Sequence, residues 1–152
     1  MRVTLGDLLN EGAVHKIRPD RRAASRLLER ARKDIGTADR LLDAEDYDWA
    51  ITIYYNSMLR SARALMSDLG YRPSSVNGHV AVIRFLREKQ RGDKWDIAIT
   101  ELDRLRRRRH ELVYEEPEGA AKEDAFSAKD WAGKFLALTE VELSLRKRDD
   151  HA

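Results

Sequence analysis

The sequence contains no cysteine. Disulfides, thiolate catalysis and cysteine-based metal sites are therefore excluded, and the composition fits a reducing compartment. No window approaches the run of about 20 apolar residues that a membrane span needs. The N-terminal stretch MRVTLGDLLNEG carries no apolar segment of signal-peptide length, so the expected location is the cytoplasm, with no membrane partner. There is no phosphate-binding glycine loop and no His-Glu-x-x-His metal motif. Neither a metal nor a cofactor is expected. Only three prolines and eight glycines interrupt the chain. Charge of one sign is scarce in net terms: 29 Lys+Arg against 27 Asp+Glu leave +2. A whole-molecule polycation is excluded, so affinity for nucleic acid has to come from local clustering.

What is present is material for helices. A chain of 152 residues fits one domain, long enough to bury roughly two-thirds of its unfolded surface. Ala, Leu, Arg, Glu and Asp dominate, which suits helices separated by short turns. Thr4 and Asp7 have the spacing of a capping box before a short first helix, and residues 13–19 read as a connector. Asp20 is a good N-cap for a second helix, whose stripe runs Ala24, Leu27, Leu28, Ala31, Ile35, Ala38, Leu41 and Leu42. A third helix is predicted from about Asp46 to Leu69, with Gly70 placed to end it. Its small residues Ser57, Ser61 and Ala64 let a neighbouring helix approach closely. A fourth is expected over roughly Val76–Lys89 and a fifth over roughly Asp93–Tyr114. After a break at Glu115–Gly119, a last helix is expected near Ser127, capped with Asp130. Nothing reads as a strand. The prediction is an all-α, up-and-down antiparallel bundle of about five or six helices. It spans residues 1–152 as a single domain, with 1–19 an N-terminal extension and 146–152 a frayed tail.

The fifth helix carries the functional signal. Its apolar seam runs Trp95, Ala98, Leu102, Leu105 and Leu112, and the position that keeps the rhythm between the last two is Arg109. A guanidinium on a buried seam is costly unless it is paired; it can also snorkel to the edge. His110 and Tyr114 lie four apart beside it, and Arg106 lies four before His110. Such a set can hold a phosphate and pass a proton, although a surface histidine near a helix end is more often inert. Arg104, Arg106, Arg107, Arg108 and Arg109 crowd one stretch. They point all round the helix, and two copies meeting across a two-fold axis would gather them into a groove. The alternative is a solvated face balanced by Glu101, Asp103 and Glu111. His15, His79 and His151 stand apart and receive no role.

Two stretches resemble the HEPN superfamily (higher eukaryotes and prokaryotes nucleotide-binding). One is Asp48-Trp49-Ala50-Ile51 through Tyr55-Asn56-Ser57-Met58-Leu59-Arg60-Ser61-Ala62-Arg63-Ala64-Leu65, followed by Gly70-Tyr71-Arg72-Pro73. The other runs from Leu102 through Arg109-His110-Glu111-Leu112-Val113-Tyr114. With the linking segment Gly78-His79-Val80-Ala81-Val82-Ile83, the likeness covers most of residues 20–148. The resemblance implies a helical bundle that dimerises and binds RNA or nucleotide at the dimer cleft. It also implies metal-independent ribonuclease activity, often as a toxin paired with a nearby nucleotidyltransferase. In the family motif an arginine, usually followed by a polar residue, precedes a histidine after four to six positions. Arg109 and His110 fit its start, and Tyr114 then stands at the histidine position. A tyrosine, with an unperturbed pKa near ~10, is a poor general base at neutral pH. A second register pairs Arg104 with His110 but leaves the apolar seam.

The expected catalytic set is therefore Arg109, His110 and Tyr114, with Arg104, Arg106, Arg108 and Asn56 binding nucleic acid or nucleotide. Tyr55 and Asn56 could line the cleft, and a structural asparagine is as good an account of the second. The alternatives are a catalytically inactive dimer that binds, or is modified by, a nucleotidyltransferase, and a purely structural helical assembly domain.

Overall fold

The computed structural model describes residues 2–114 and 122–151. Six helices and one small ribbon follow in order: α1 (Leu5–Asn10), β1 (Val14–Lys16), α2 (Arg21–Asp43), α3 (Tyr47–Leu69), β2 (Tyr71–Pro73), α4 (Gly78–Lys89), α5 (Asp93–Tyr114) and α6 (Lys122–His151). No helix among the described residues is long and apolar enough to cross a membrane.

The helix starts follow local side-chain chemistry. Asp7 N–H donates to Thr4 Oγ1 at 3.2 Å while Thr4 N–H donates to Asp7 Oδ2 at 3.0 Å, which closes the capping box of α1. Asp20 accepts from Ala23 N–H at 2.9 Å and starts α2. α4 begins two residues later than its sequence pattern suggests, because Asn77 takes a left-handed φ of 53° and only the following residues are helical. α6 begins earlier than expected. Ser127 lies inside it rather than at its cap, and its hydroxyl accepts from Arg104 Nη2 at 3.2 Å. The expected break at Glu115–Gly119 lies outside the described residues. At the other end α6 runs on to His151, over the stretch read as a frayed tail, and Arg146 Nε donates to Asp68 Oδ2 at 2.7 Å.

α3 is the centre of the bundle. It packs against α2, α5, α6 and α4, and only Trp49 and Arg63 along it are exposed. Ser57 and Ser61 are fully buried, and Ser57 Oγ donates to the Ala31 carbonyl of α2 at 2.8 Å. A short polar side chain thus lets two long helices lie close while its own hydroxyl stays satisfied.

The ribbon corrects the expectation that the chain holds no strand. β1 and β2 pair antiparallel, with Val14 opposite Pro73, His15 opposite Arg72 and Lys16 opposite Tyr71. Periodicity could not reveal two strands of three residues, since they carry too little pattern and are stable only against the bundle. The ribbon fixes the chain as it leaves α3. Gly70, at φ 93°, turns the backbone, and its carbonyl accepts from Ile17 N–H at 2.9 Å. A β-carbon there would meet the Ile17 carbonyl oxygen and Pro19 Cγ, each at 3.0 Å.

Two glycine substitutions should therefore move stability in opposite directions. Gly70→Ala is expected to lower it by at least about 1–2 kcal/mol, since left-handed backbone and contact strain add. Gly133→Ala, on a helical surface where an added β-carbon meets nothing within 4 Å, is expected to raise it by about 0.5–1 kcal/mol. Urea unfolding midpoints of the two variants measure both.

Candidate functional site

α5 crosses the bundle beside α3 and α4, and its buried residues Trp95, Ala98, Ile99, Leu102, Leu105 and Leu112 hold it there. Arg109 falls between Leu105 and Leu112 on that packed side and is half-buried. Its Nε is buried and has no hydrogen-bond partner among the described residues. An unsatisfied donor of this kind costs stability, which makes the position informative.

The neighbours of Arg109 come from three helices. Arg109, Arg106 and His110 of α5 line an open cleft of about 310 Å³ with Asn77, Gly78 and His79 at the start of α4. Beneath His79 lies Tyr55 of α3, fully buried. The Tyr55 hydroxyl is 3.0 Å from His79 Nδ1, and the two rings are 5.6 Å apart between centroids. Burial pushes the Tyr55 hydroxyl well above its ordinary range, against the opposing pull of Arg109 and Arg106. The phenol therefore keeps its proton and donates a hydrogen bond to the bare Nδ1. On this chemistry the tautomer is assigned with the ring proton on Nε2. Burial also lowers the pKa of His79, and Arg109, Arg106 and Arg63 lower it further by repelling a second positive charge. The cleft thus combines fixed positive charge with an imidazole that stays neutral near pH 7.

The arginine run sorts by direction. Arg104 Nε donates to Glu101 at 2.7 Å and its Nη2 reaches Ser127 on α6. Arg108 is held by Glu111 and by Asp124 of α6, each at 3.1 Å. These two tie α5 to α6 and are turned away from the cleft. Arg107 is exposed, with Asp103 at 3.8 Å. Arg106 lines the cleft while its Nε donates to Asp103 at 3.0 Å. No carboxylate partner of Arg109 is found among the described residues.

Tyr114, at the histidine position of the motif, is 69% exposed and its ring lies 4.8 Å from that of His110. It stands next to the cleft without being among its lining residues. Asn56 is half-buried and follows Tyr55 on α3, about 100° round the helix, and it too is outside the lining set. The structure thus groups Arg109, Arg106 and His110 and leaves Arg104, Arg108 and Asn56 elsewhere. It adds His79, and it sets Tyr55, expected along the cleft, beneath His79 rather than among the lining residues. Nothing in the sequence marked His79, a single histidine at a helix start, because its partners are distant along the chain and meet it only through packing.

Because the folded state holds His79 at a lowered pKa, the unfolded chain binds its proton more readily. The contribution of His79 is fully present above the ordinary histidine pKa and is lost as pH falls through the lowered value. Stability is therefore expected to decline on acidification from about pH 6.5, and His79→Gln should flatten that decline. Urea midpoints taken in small pH steps above the carboxylate range would reveal it, and identical slopes in both proteins would refute it.

Searches of curated proteins and of solved structures each returned no match. The HEPN domain family model matches residues 24–142, a span that includes the whole cleft from Tyr55 through His79 to Arg109 and His110. The chain belongs to the HEPN domain family.

Proposed function

We propose that this HEPN protein binds a phosphate group of RNA or nucleotide in the Arg106–Arg109–His79–His110 cleft and cleaves RNA without a metal. The observation that carries the reading is Arg109. Its guanidinium lines an open cleft, with a buried Nε and no partner among the described residues. Guanidinium groups match phosphate oxygens in geometry and charge, and a bound phosphate would offset the cost of leaving Arg109 unpaired. Arg106 adds a second cation, and His79 offers a neutral Nε2–H donor to another phosphate oxygen.

The reaction this arrangement supports is attack by a ribose 2′-hydroxyl on the adjacent phosphorus. His110 takes the hydroxyl proton as the new O–P bond forms. The bond to the 5′-oxygen breaks, and the same imidazole returns the proton to that oxygen, leaving a 2′,3′-cyclic phosphate. Arg109 and Arg106 stabilise the charge that builds on the phosphoryl oxygens. Family membership supports a homodimer, in which a two-fold axis would set two such clefts together. It also supports a toxin–antitoxin or defence role.

A second reading rests on the exposure of Tyr114. A phenol 69% exposed at the end of α5 is placed to accept a nucleotide from a nucleotidyltransferase partner, which would silence the cleft beside it. Intact-mass measurement after co-expression with the neighbouring gene product tests this, and an unmodified Tyr114 would count against it.

For the first reading, Arg109→Ala should weaken binding of single-stranded RNA at least about tenfold at fixed salt, while Arg107→Ala changes it far less. His110→Ala should retain binding and stop cleavage. RNA left intact by wild type and His110→Ala alike would remove the ribonuclease half, and unchanged affinity in Arg109→Ala would remove the binding half.

A further inference from the structure

The cleft at Arg109 does not end at His79. A second groove, of about 380 Å³, opens on the other side of the same residue and shares Gly78 and His79 with the first. Its polar lining comes from Arg63 of α3, Arg72 of β2, and Ser74 and Ser75 of the loop before α4. We infer that a single strand of RNA runs continuously across His79, with one phosphate at Arg109 and a neighbouring phosphate in the groove of Arg63, Arg72, Ser74 and Ser75. The inference rests on the reading of the Arg109 cleft as a phosphate site, and it makes the ligand a polynucleotide rather than a mononucleotide.

Three observations carry it. The first is the state of the arginines. Those of α5 that face α6 are each held by carboxylates. Arg63 and Arg72, like Arg109, have no carboxylate partner among the described residues. Unpaired guanidiniums thus stand on both sides of His79, and Arg63 lines the second groove together with it. The second is position. α3 is buried along nearly its whole length, and Arg63 is its only exposed charged residue. A helix that serves as a core element opens to solvent with a cation where the second groove lies. The third is rigidity. Arg72 is held in the ribbon opposite His15, Ser74 N–H donates to the Ala13 carbonyl at 2.8 Å, and Ser74 Oγ accepts from Val76 N–H at 3.2 Å. The loop that offers the serines is fixed before any ligand arrives, which limits the entropy cost of binding.

Size and charge set the class of ligand. Each groove alone is near the lower limit for an organic ligand, about 300 Å³, and accommodates one nucleotide unit. The first groove is lined mainly by polar groups, and the second sets Leu59, Pro73 and Val82 beside its cations. Cations spaced along a shared floor fit a backbone that repeats its negative charge.

The test uses two probes on the full chain: an oligouridine of about ten nucleotides with 2′-O-methyl groups, which lacks the attacking hydroxyl, and the mononucleotide 3′-UMP. Wild type should bind the oligomer at least about tenfold more tightly than 3′-UMP. The Arg63→Gln/Arg72→Gln double variant should lose most of that ratio. Its log affinity for the oligomer should also depend less on log salt, by about 0.7 for each phosphate that the variant no longer neutralises. Arg109→Ala should weaken both probes. Lys33→Ala, an exposed cation on α2, controls for general charge, and thermal melts confirm that each variant folds; Arg63→Lys/Arg72→Lys should restore part of the oligomer affinity. Weaker binding in Arg109→Ala with no change in the double variant would overturn the two-phosphate track and leave the cleft reading standing. Equal losses on both probes in the double variant, or equal wild-type affinities, would also overturn it. No effect in Arg109→Ala, or no wild-type binding of either probe, would remove the cleft reading and this inference together.

Discussion

α3 has almost no solvent face, so each polar group on it must find a partner within the protein. That constraint organises the rest of the chain. Ser57 donates to the Ala31 carbonyl, Arg60 pairs with Asp34 at 2.6 Å, and the Tyr54 hydroxyl donates to Asp39, all on α2. Near the other end, Ser67 donates to the Asp20 carbonyl at 3.2 Å, and Asp68 holds Arg146 of α6 with Arg21 of α2 at 3.7 Å. Asp68 is the buried partner of that cluster, so the two arginines are held to it by the cost of leaving a carboxylate uncompensated. Apolar burial supplies most of the stabilisation, and these polar ties set the register in which the helices meet.

The tie between Tyr55 and His79 belongs to the same set, and it has a chemical consequence. A buried phenol must donate, and the acceptor that packing provides is an imidazole at the start of α4. Satisfying Tyr55 therefore fixes the orientation and tautomer of His79 and directs its remaining N–H outward. The same helix packing brings Arg109 and Arg106 over from α5. The arrangement of the cleft is thus a by-product of satisfying the core, which gives it the rigidity a binding site needs.

The crowd of arginines on α5 divides along a simple line. Where a carboxylate of α5 or α6 is within reach, the guanidinium is consumed in holding helices together, as with Arg104 and Arg108. Where the helix turns toward α4, Asp103 is the carboxylate that pairs with Arg106, and Arg109 has no carboxylate partner among the described residues. Arg63 and Arg72 are left in the same condition by α3 and the ribbon. Local charge therefore survives on one side of a molecule whose net charge is only +2.

The helices were legible in the sequence because apolar spacing and capping residues are local signals. Asp20, Gly70 and the Leu102–Leu105–Leu112 seam needed no distant partner to be read. The same seam revealed Arg109, since a charge out of step with a buried rhythm is visible in one dimension. The ribbon and the start of α6 were not legible. The first carries too few residues to show a period, and the second has a cap-like serine that a distant arginine engages instead. Tertiary structure alone decided which arginines are held by carboxylates and which keep their charge available. It also decided that Tyr55 and His79, which sit on separate helices, should meet under Arg109. Sequence spacing fixes which face of a helix a residue occupies. Which face of which neighbour it then meets depends on packing the whole core at once.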